Sequence, residues 1–424
     1  MKLTCDISVK HLTRVEGHGN IEIRIKDGQV EKASWDVVET PRFFEAMLVG
    51  KRYENAPYIC GRICGICSIG HTLASIRAVE RAFALTPSPQ TEKLRLLLKH
   101  METLQSHILH LYFLAAPDFL NASSVLELLA PHPDEVQRAA RIKLLANDGA
   151  DLIGGRRLHP TRTVVGGFTM LPDRSALAAL GRRLQAIIPD LKQAAKLFAS
   201  FTLPEFIRET EWVSLQGEGS YPFIGGQIIS SDGVVKGEDE YLAMTNEYMV
   251  NHSTSKWSRL SRESMAVGAL ARTNNNFSFL HPLAREIAAS LGLTAVNHNP
   301  YMNNIAQLVE SVHVVEDSIR LIEELLGSPW QEVRQVVTPR EGCGVGAVEV
   351  PRGILYHSYS FDSRGHITKA DCVIPTSQNN ANIHYDLHEL AAAMADQGKG
   401  DQEIRRLAEM LVRAYDPCIS CSVH

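Results

Sequence analysis

Two Cys-x-x-Cys pairs stand near opposite extremes of the sequence, Cys64-Gly-Ile-Cys67 and Cys418-Ile-Ser-Cys421. Each is followed by a histidine, His71 after the first pair and His424 after the second. One such pair is a weak signal, because redox thiols and zinc sites both use it. Two pairs with trailing histidines form a stronger one. If the four sulfurs serve one site, groups separated by roughly 350 residues must meet inside the fold. Length alone suggests about two or three domains. Convergence of the pairs instead favours one large domain over residues 1–424.

Composition narrows the function classes. Hydrophobic residues make up 45% and charged residues 21%, ordinary for a globular chain. The net charge of −5, with no basic tract interleaved with aromatics, argues against nucleic acid as a partner. No apolar run reaches the ~18 residues of a membrane span. The start, Met1-Lys-Leu-Thr-Cys-Asp-Ile, lacks the apolar core of a signal peptide, so the expected location is cytoplasmic. In that setting the eight cysteines read as metal-binding or catalytic thiols before disulfides.

The expected fold class is mainly α within α+β, a large helical bundle with small antiparallel β additions. Residues 20–39 alternate in polarity around Asp27-Gly28, a β-hairpin signal. A helical bundle is expected over 60–340, from apolar periods in 91–116, 135–154, 174–201 and 301–326. Ser88-Pro89 suits the start of the first of these helices. A β region is expected over 345–375, turning at Ser363-Arg364-Gly365, and then a C-terminal helix and metal motif over 385–424.

Cys64 and Cys67 precede a helical pattern beginning near Thr72. The unpaired N–H groups and dipole of a helix start favour thiolate, and Arg62 adds positive charge. Two readings remain at this point. A structural zinc held by four cysteines normally closes a small loop, which these distant pairs would not. A soft, redox-active metal centre fits the separation better. His107 and His110 read as hydrogen-bonded interior histidines. His384-x3-His388 has metal-like spacing but reads as exposed helix. Cys5, Cys343 and Cys372 read as inert small hydrophobes, and Cys60 as a candidate for a supporting or redox role.

Arg62-x-Cys64-Gly-x-Cys67-x3-His71 and Asp416-Pro417-Cys418-x2-Cys421-x2-His424 resemble the two signature motifs of the nickel–iron hydrogenase large subunit. Arg14-Val-Glu16-Gly-His18, Arg42-Phe-Phe-Glu45, Pro351-Arg352-Gly353 and Pro375-Thr376-Ser377-Gln378-Asn379 agree in the same order. The resemblance spans residues 11–424 and implies a single catalytic domain that cleaves or forms dihydrogen. It implies a Ni-Fe centre whose iron carries CO and cyanide, with Cys64 and Cys418 as terminal nickel ligands and Cys67 and Cys421 as bridges. Arg352 would lie over the metals, and Pro351, Pro375, Thr376 and Ser377 would line the diatomic ligands. His71 would hydrogen-bond near a bridging sulfur, and Glu16 would relay protons from Cys418. Without the resemblance, Glu16 reads more often as a capping or surface residue after the first strand. Glu45, His424 and the Cys372 carbonyl would hold Mg2+ or Fe2+. The chain would end at His424 because maturation cuts there. Ser106 occupies the place of an acidic residue common in the family, leaving Asp416 as the expected partner of Arg352.

Electrons from dihydrogen must leave the buried centre. The four cysteines outside the pairs lack cluster spacing, so no iron–sulfur cluster is expected in this chain. No GxGxxG motif opens a βαβ unit. The resemblance supplies an iron–sulfur small subunit and further flavin or iron–sulfur electron-transfer subunits. Pro41-Arg-Phe-Phe-Glu-Ala-Met-Leu-Val-Gly-Lys51 resembles the cytoplasmic group linked to NAD(P), a deazaflavin or ferredoxin. The competing readings are a zinc-stapled scaffold without catalysis and a metal-free quinone-site subunit like that of complex I.

Overall fold

The N-terminal residues build a three-stranded antiparallel sheet from β1 (Cys5–Val9), β2 (Gly19–Lys26) and β3 (Gln29–Val37). Its hairpin turns at Asp27 and Gly28, both at positive φ, as a two-residue primed turn requires. The first strand was not anticipated. A computed structural model describes residues 3–217, 219–331 and 334–424.

Short helices α1 (Phe44–Leu48) and α2 (Ala56–Cys60) lead into α3 (Ser68–Ala82) and α4 (Pro89–Leu109). Ser88 caps α4 by accepting the Thr91 N–H at 3.2 Å, with Pro89 as first helical residue. A π-helical segment, His110–Ala115, continues α4 into α5 (Ala116–Phe119), and α6 (Pro133–Gly154) follows. Beyond a small hairpin of β4 (Thr163–Val164) and β5 (Gly167–Phe168), the apolar period at 174–201 splits into α7 (Arg174–Ala186) and α8 (Ile188–Ala199). Pro189 explains the split, because its ring suits a first turn and not a helix interior.

The centre of the chain departs from the expected pure bundle. Strands β6 (Glu211–Gln216), β7 (Gln227–Ser230), β8 (Val235–Lys236) and, after α9 (Tyr241–Thr245), β9 (Met265–Ala266) make a sheet ordered β8-β7-β6-β9. Strand β6 is buried on both faces, so it shows no polar alternation to read. Helices α10 (Ala269–Asn276), α11 (Pro282–Ser290) and α12 (Asn303–Gly327) complete this region.

The later β region holds β10 (Gly342–Val350), β11 (Gly353–Phe361) and β12 (Ile367–Val373), an antiparallel sheet. It turns near Gly365, as expected, and also at Pro351-Arg352, where Val350 pairs with Gly353. Helix α3 lies directly on β10. A Cβ at Gly344 or Gly346 would collide with α3 backbone at Ala78 and Ala74, so only glycine permits this approach. The chain closes with α13 (Pro375–Asp396), α14 (Asp401–Ala414) and the terminal motif. One buried apolar cluster joins residues of the N-terminal sheet, α3, α4, α12 and α14 with Cys64, Cys67, Cys418 and Cys421. The chain ends meet in that interior.

Candidate metal centre

The first pair is shaped by the start of α3. Cys67 is the residue before the helix, and the Ile66 and Cys67 amides donate to Cys64 Sγ at 3.3 and 3.1 Å. Burial raises the Cys64 thiol, but Cys67, Arg352 and these two amides outweigh it and draw it down. Cys67 moves well upward, because a charged Cys64 beside it and burial both disfavour a second thiolate. From α4, Glu102 accepts the Gly70 N–H at 3.0 Å and pairs with Lys99 at 3.0 Å, and Gln105 donates to the Ile66 carbonyl at 3.0 Å. All three hold the loop from the helix behind it.

The second pair has no α-helix beneath it, only the 3-10 turn Ser420–Val423, and is tied down mainly by distant side chains. Asp416, at φ 51°, turns the chain out of α14. The Cys418 N–H donates to Thr376 Oγ1 at 3.0 Å, at the start of α13. The Ile419 N–H donates to the Glu16 carbonyl at 2.9 Å, and Arg42 donates to Ile63 O at 2.8 Å and to Ser420 O. Cys418 Sγ lies 3.6 Å from Cys64 Sγ and 3.2 Å from Glu16 Oε2. Cys421 Sγ stands 3.8 Å from the Ile63 carbonyl and adjoins Cys418 Sγ. All four sulfurs are buried and within 4.8 Å of one another.

Arg352 sits in the β10–β11 turn, 3% exposed. Its Nε and Nη2 donate to Asp416 O at 2.5 Å and Asp416 Oδ1 at 2.7 Å, while Nη1 is buried without a protein partner. Burial opposes its charge, but Asp416 and the Cys67 and Cys64 sulfurs favour it, and the net direction is upward. Ser106 Oγ is buried and makes no hydrogen bond to Arg352. Sequence reading missed Arg272, on α10. Fully buried between Glu310 and Glu349, it donates to the Val350 and Pro351 carbonyls at 2.9 and 3.1 Å and clamps the turn that carries Arg352. Its partners come from three elements, so no local motif announces it.

His71 Nδ1 bonds to His357 Nε2 at 3.1 Å, and its Nε2 is buried without a partner. Burial, with His357 next in weight, pushes it well below the usual imidazole range, so the ring is neutral. Pro375 is the first residue of α13. Ser377 Oγ is committed to Ile374 O at 2.7 Å, leaving Thr376 as the hydroxyl that holds Cys418.

Glu45, Cys372 and His424 also meet. Glu45 Oε1 accepts the Cys372 N–H at 2.9 Å, and His424 Nε2 lies 2.5 Å from Cys372 O and 3.5 Å from Glu45 Oε1. Burial raises the Glu45 carboxyl, but His424 and the Cys372 amide prevail and lower it. Glu247, unnoticed in the sequence, stands alongside, 2.9 Å from Lys256 and 3.3 Å from Ser377 Oγ. His107 bonds to Glu310 at 2.8 Å and His110 to Gln307 at 2.5 Å, as interior histidines do. His388 is exposed, whereas His384 is half-buried against Trp257 and His252. Two expectations need correction: Cys343 is exposed rather than a packed hydrophobe, and His384 is half-buried rather than on an exposed face; Cys372 is buried, its Sγ 3.5 Å from His357 Nδ1.

Four soft donors within one buried pocket fit a nickel–iron centre, yet the sulfurs alone would equally suit tetrahedral zinc. Buried donors Arg352 Nη1 and His71 Nε2, without protein partners, are features a zinc staple does not need. Comparison with known proteins decides. The nickel-dependent hydrogenase family matches residues 42–149 and 235–424, and a HoxL-like family matches residues 6–40. The chain is 35% identical to sulfhydrogenase 1 subunit alpha of Pyrococcus furiosus, over 99% of this chain and 97% of that protein. It is 28% identical to the NAD-reducing hydrogenase HoxS subunit beta of Cupriavidus necator, over 97% and 93% of the two chains. A crystal structure of an NAD+-reducing [NiFe]-hydrogenase in the H2-reduced state superposes with a TM-score of 0.87 at 28% identity, covering 99% of this chain and all of that one. Among the described residues no helix is long and apolar enough to cross a membrane. The chain therefore belongs to the nickel-dependent hydrogenase family, as a large subunit and an oxidoreductase.

Proposed function

We propose that this chain is the catalytic subunit of a nickel–iron hydrogenase that converts dihydrogen reversibly and heterolytically into two protons and two electrons. The observation that carries this reading is the meeting of Cys64, Cys67, Cys418 and Cys421 beside Glu16. Cys64 and Cys418 would be terminal ligands and Cys67 and Cys421 bridges. When bound, the Ni-Fe centre, its iron carrying CO and cyanide, supplies the polarisation that splits the H–H bond. Cys418 holds a proton on Sγ and passes it to Glu16 Oε2, 3.2 Å away. The Ser420 N–H, 3.1 Å from that same oxygen, keeps the carboxylate aimed at the sulfur. Arg352 offers its free Nη1 to the pocket, fixed by Asp416 and by the Arg272 clamp. Pro351, Pro375 and Thr376 support the walls, and neutral His71 keeps one N–H available.

Glu45, the Cys372 carbonyl and His424 would hold Mg2+ or Fe2+, an oxygen-rich site that fixes the C-terminal motif. Residues 1–424 would act as one catalytic unit in the cytoplasm. Electrons would leave through an iron–sulfur small subunit and further flavin or iron–sulfur subunits to a soluble carrier such as NAD(P). Its sulfhydrogenase and NAD-reducing relatives, each named as one subunit of a larger enzyme, support a multi-subunit assembly.

Isotope exchange tests the chemistry apart from the acceptor. Nickel-loaded complex under D2 in ordinary water should release HD, since heterolytic cleavage lets the proton side exchange with solvent. Nickel-loaded complex that forms no HD would overturn the assignment.

A further inference from the structure

A second set of soft donors lies outside the four-sulfur pocket. Strands β11 and β12 pair His357 with Cys372, and Tyr359, two residues along β11, shares their face. Cys60, the last residue of α2, closes over them. Cys60, His357 and Cys372 are all 0% exposed, and their ligand atoms lie within 4.8 Å of one another. Cys372 Sγ is 3.5 Å from His357 Nδ1, and Tyr359 Oη is 2.7 Å from that nitrogen and 3.1 Å from Cys60 Sγ.

We propose that Cys60, His357 and Cys372 form a second metal site that takes one thiophilic closed-shell cation of the zinc type, with Tyr359 Oη as the oxygen in reach of the fourth position. Geometry supports this. A tetrahedral ion with bonds of about 2.3 Å to sulfur and about 2.0 Å to nitrogen places those donors about 3.5 Å apart. Cys372 Sγ and His357 Nδ1 stand at that spacing. Charge supports it as well. Two thiolates cancel a divalent cation, so the loaded site is neutral and suits complete burial. His357 would bind through Nδ1, leaving Nε2–H to donate to His71 Nδ1 at 3.1 Å. A ligating histidine commonly donates its other N–H in this way. Cys372 would then serve two sites, its side chain here and its carbonyl toward His424. The site is independent of nickel, so its failure would leave the hydrogenase assignment standing.

The test uses the intact complex purified without chelator and supplied with zinc. The expected result is about one zinc per chain, with X-ray absorption showing two sulfurs near 2.3 Å and lighter donors near 2.0 Å. In Cys60→Ser, zinc should fall at least tenfold while nickel remains near one per chain. Absence of zinc from the wild-type complex would overturn the proposal, as would a shell of four sulfurs, a Cys60–Cys372 disulfide found by thiol alkylation, or full zinc in Cys60→Ser. If that variant does not fold, the wild-type sulfur count alone decides.

Discussion

The two Cys-x-x-Cys pairs look alike in sequence and are supported by opposite means. The first rests on local structure, since Cys64 Sγ accepts two amides from its own loop at the mouth of α3. The second has no such local support. Cys418 is held by Thr376, Glu16 and, through its neighbours, Arg42, all distant in the chain. Their electrostatics differ accordingly. Amide donors favour charge on Cys64, whereas a carboxylate oxygen of Glu16 stands 3.2 Å from Cys418 Sγ. In the proposed mechanism one pair holds and the other exchanges protons.

The largest expected break is Cys421→Ser, which removes a sulfur from the distal pair. It should abolish dihydrogen-dependent dye reduction, a loss of at least about 10³-fold, or about 4 kcal/mol, while circular dichroism stays near wild type. Measurable turnover in this variant would contradict a bridging role. Glu16→Gln tests the division of labour itself. It keeps a hydrogen-bonding group beside Cys418 but cannot take up a proton, and it should cost about 10²–10³-fold in rate with nickel content unchanged. If nickel content fell with rate, Glu16 would be a structural tie.

Asp416→Asn is next. It keeps a residue tolerant of the positive φ but leaves the buried Arg352 charge unpaired, which should cost about 3 kcal/mol of stability. Thermal unfolding would report this, and an unchanged midpoint would show that the sulfurs alone balance the arginine. The smallest effect belongs to Thr376→Val, which deletes the hydroxyl holding the Cys418 N–H and should cost about 1–2 kcal/mol. Destabilisation should appear first as faster proteolysis of the C-terminal segment, and an unaffected tail would mean that Arg42 and Glu16 suffice.

Much of the site was legible because its chemistry requires particular side chains. Sulfur and imidazole have no close substitutes at a buried metal pocket, so Cys64, Cys418 and His424 stood out by type and spacing, whereas Arg352 was reached only through the family resemblance. The turn at Asp27-Gly28 and the Ser88-Pro89 helix start were equally readable, because each depends on adjacent residues alone. Strand β6 was not, since burial on both faces erases alternation. Arg272 was invisible for another reason. Its role exists only through Glu310, Glu349 and the Pro351 carbonyl, brought together by three separate elements.

Cys60, His357 and Cys372 show the same limit. Apart in sequence, they carried no spacing to recognise, and strand register alone makes His357 and Cys372 neighbours. By itself the sequence determined which donors were present, where helices and hairpins begin, and that both ends of the chain must share one interior. Only the tertiary structure decided which donor faces which, that His71 Nδ1 meets His357, and that Glu16 meets Cys418. Side-chain chemistry and local backbone preference are written residue by residue, whereas distances between remote groups arise from how sheets and helices pack.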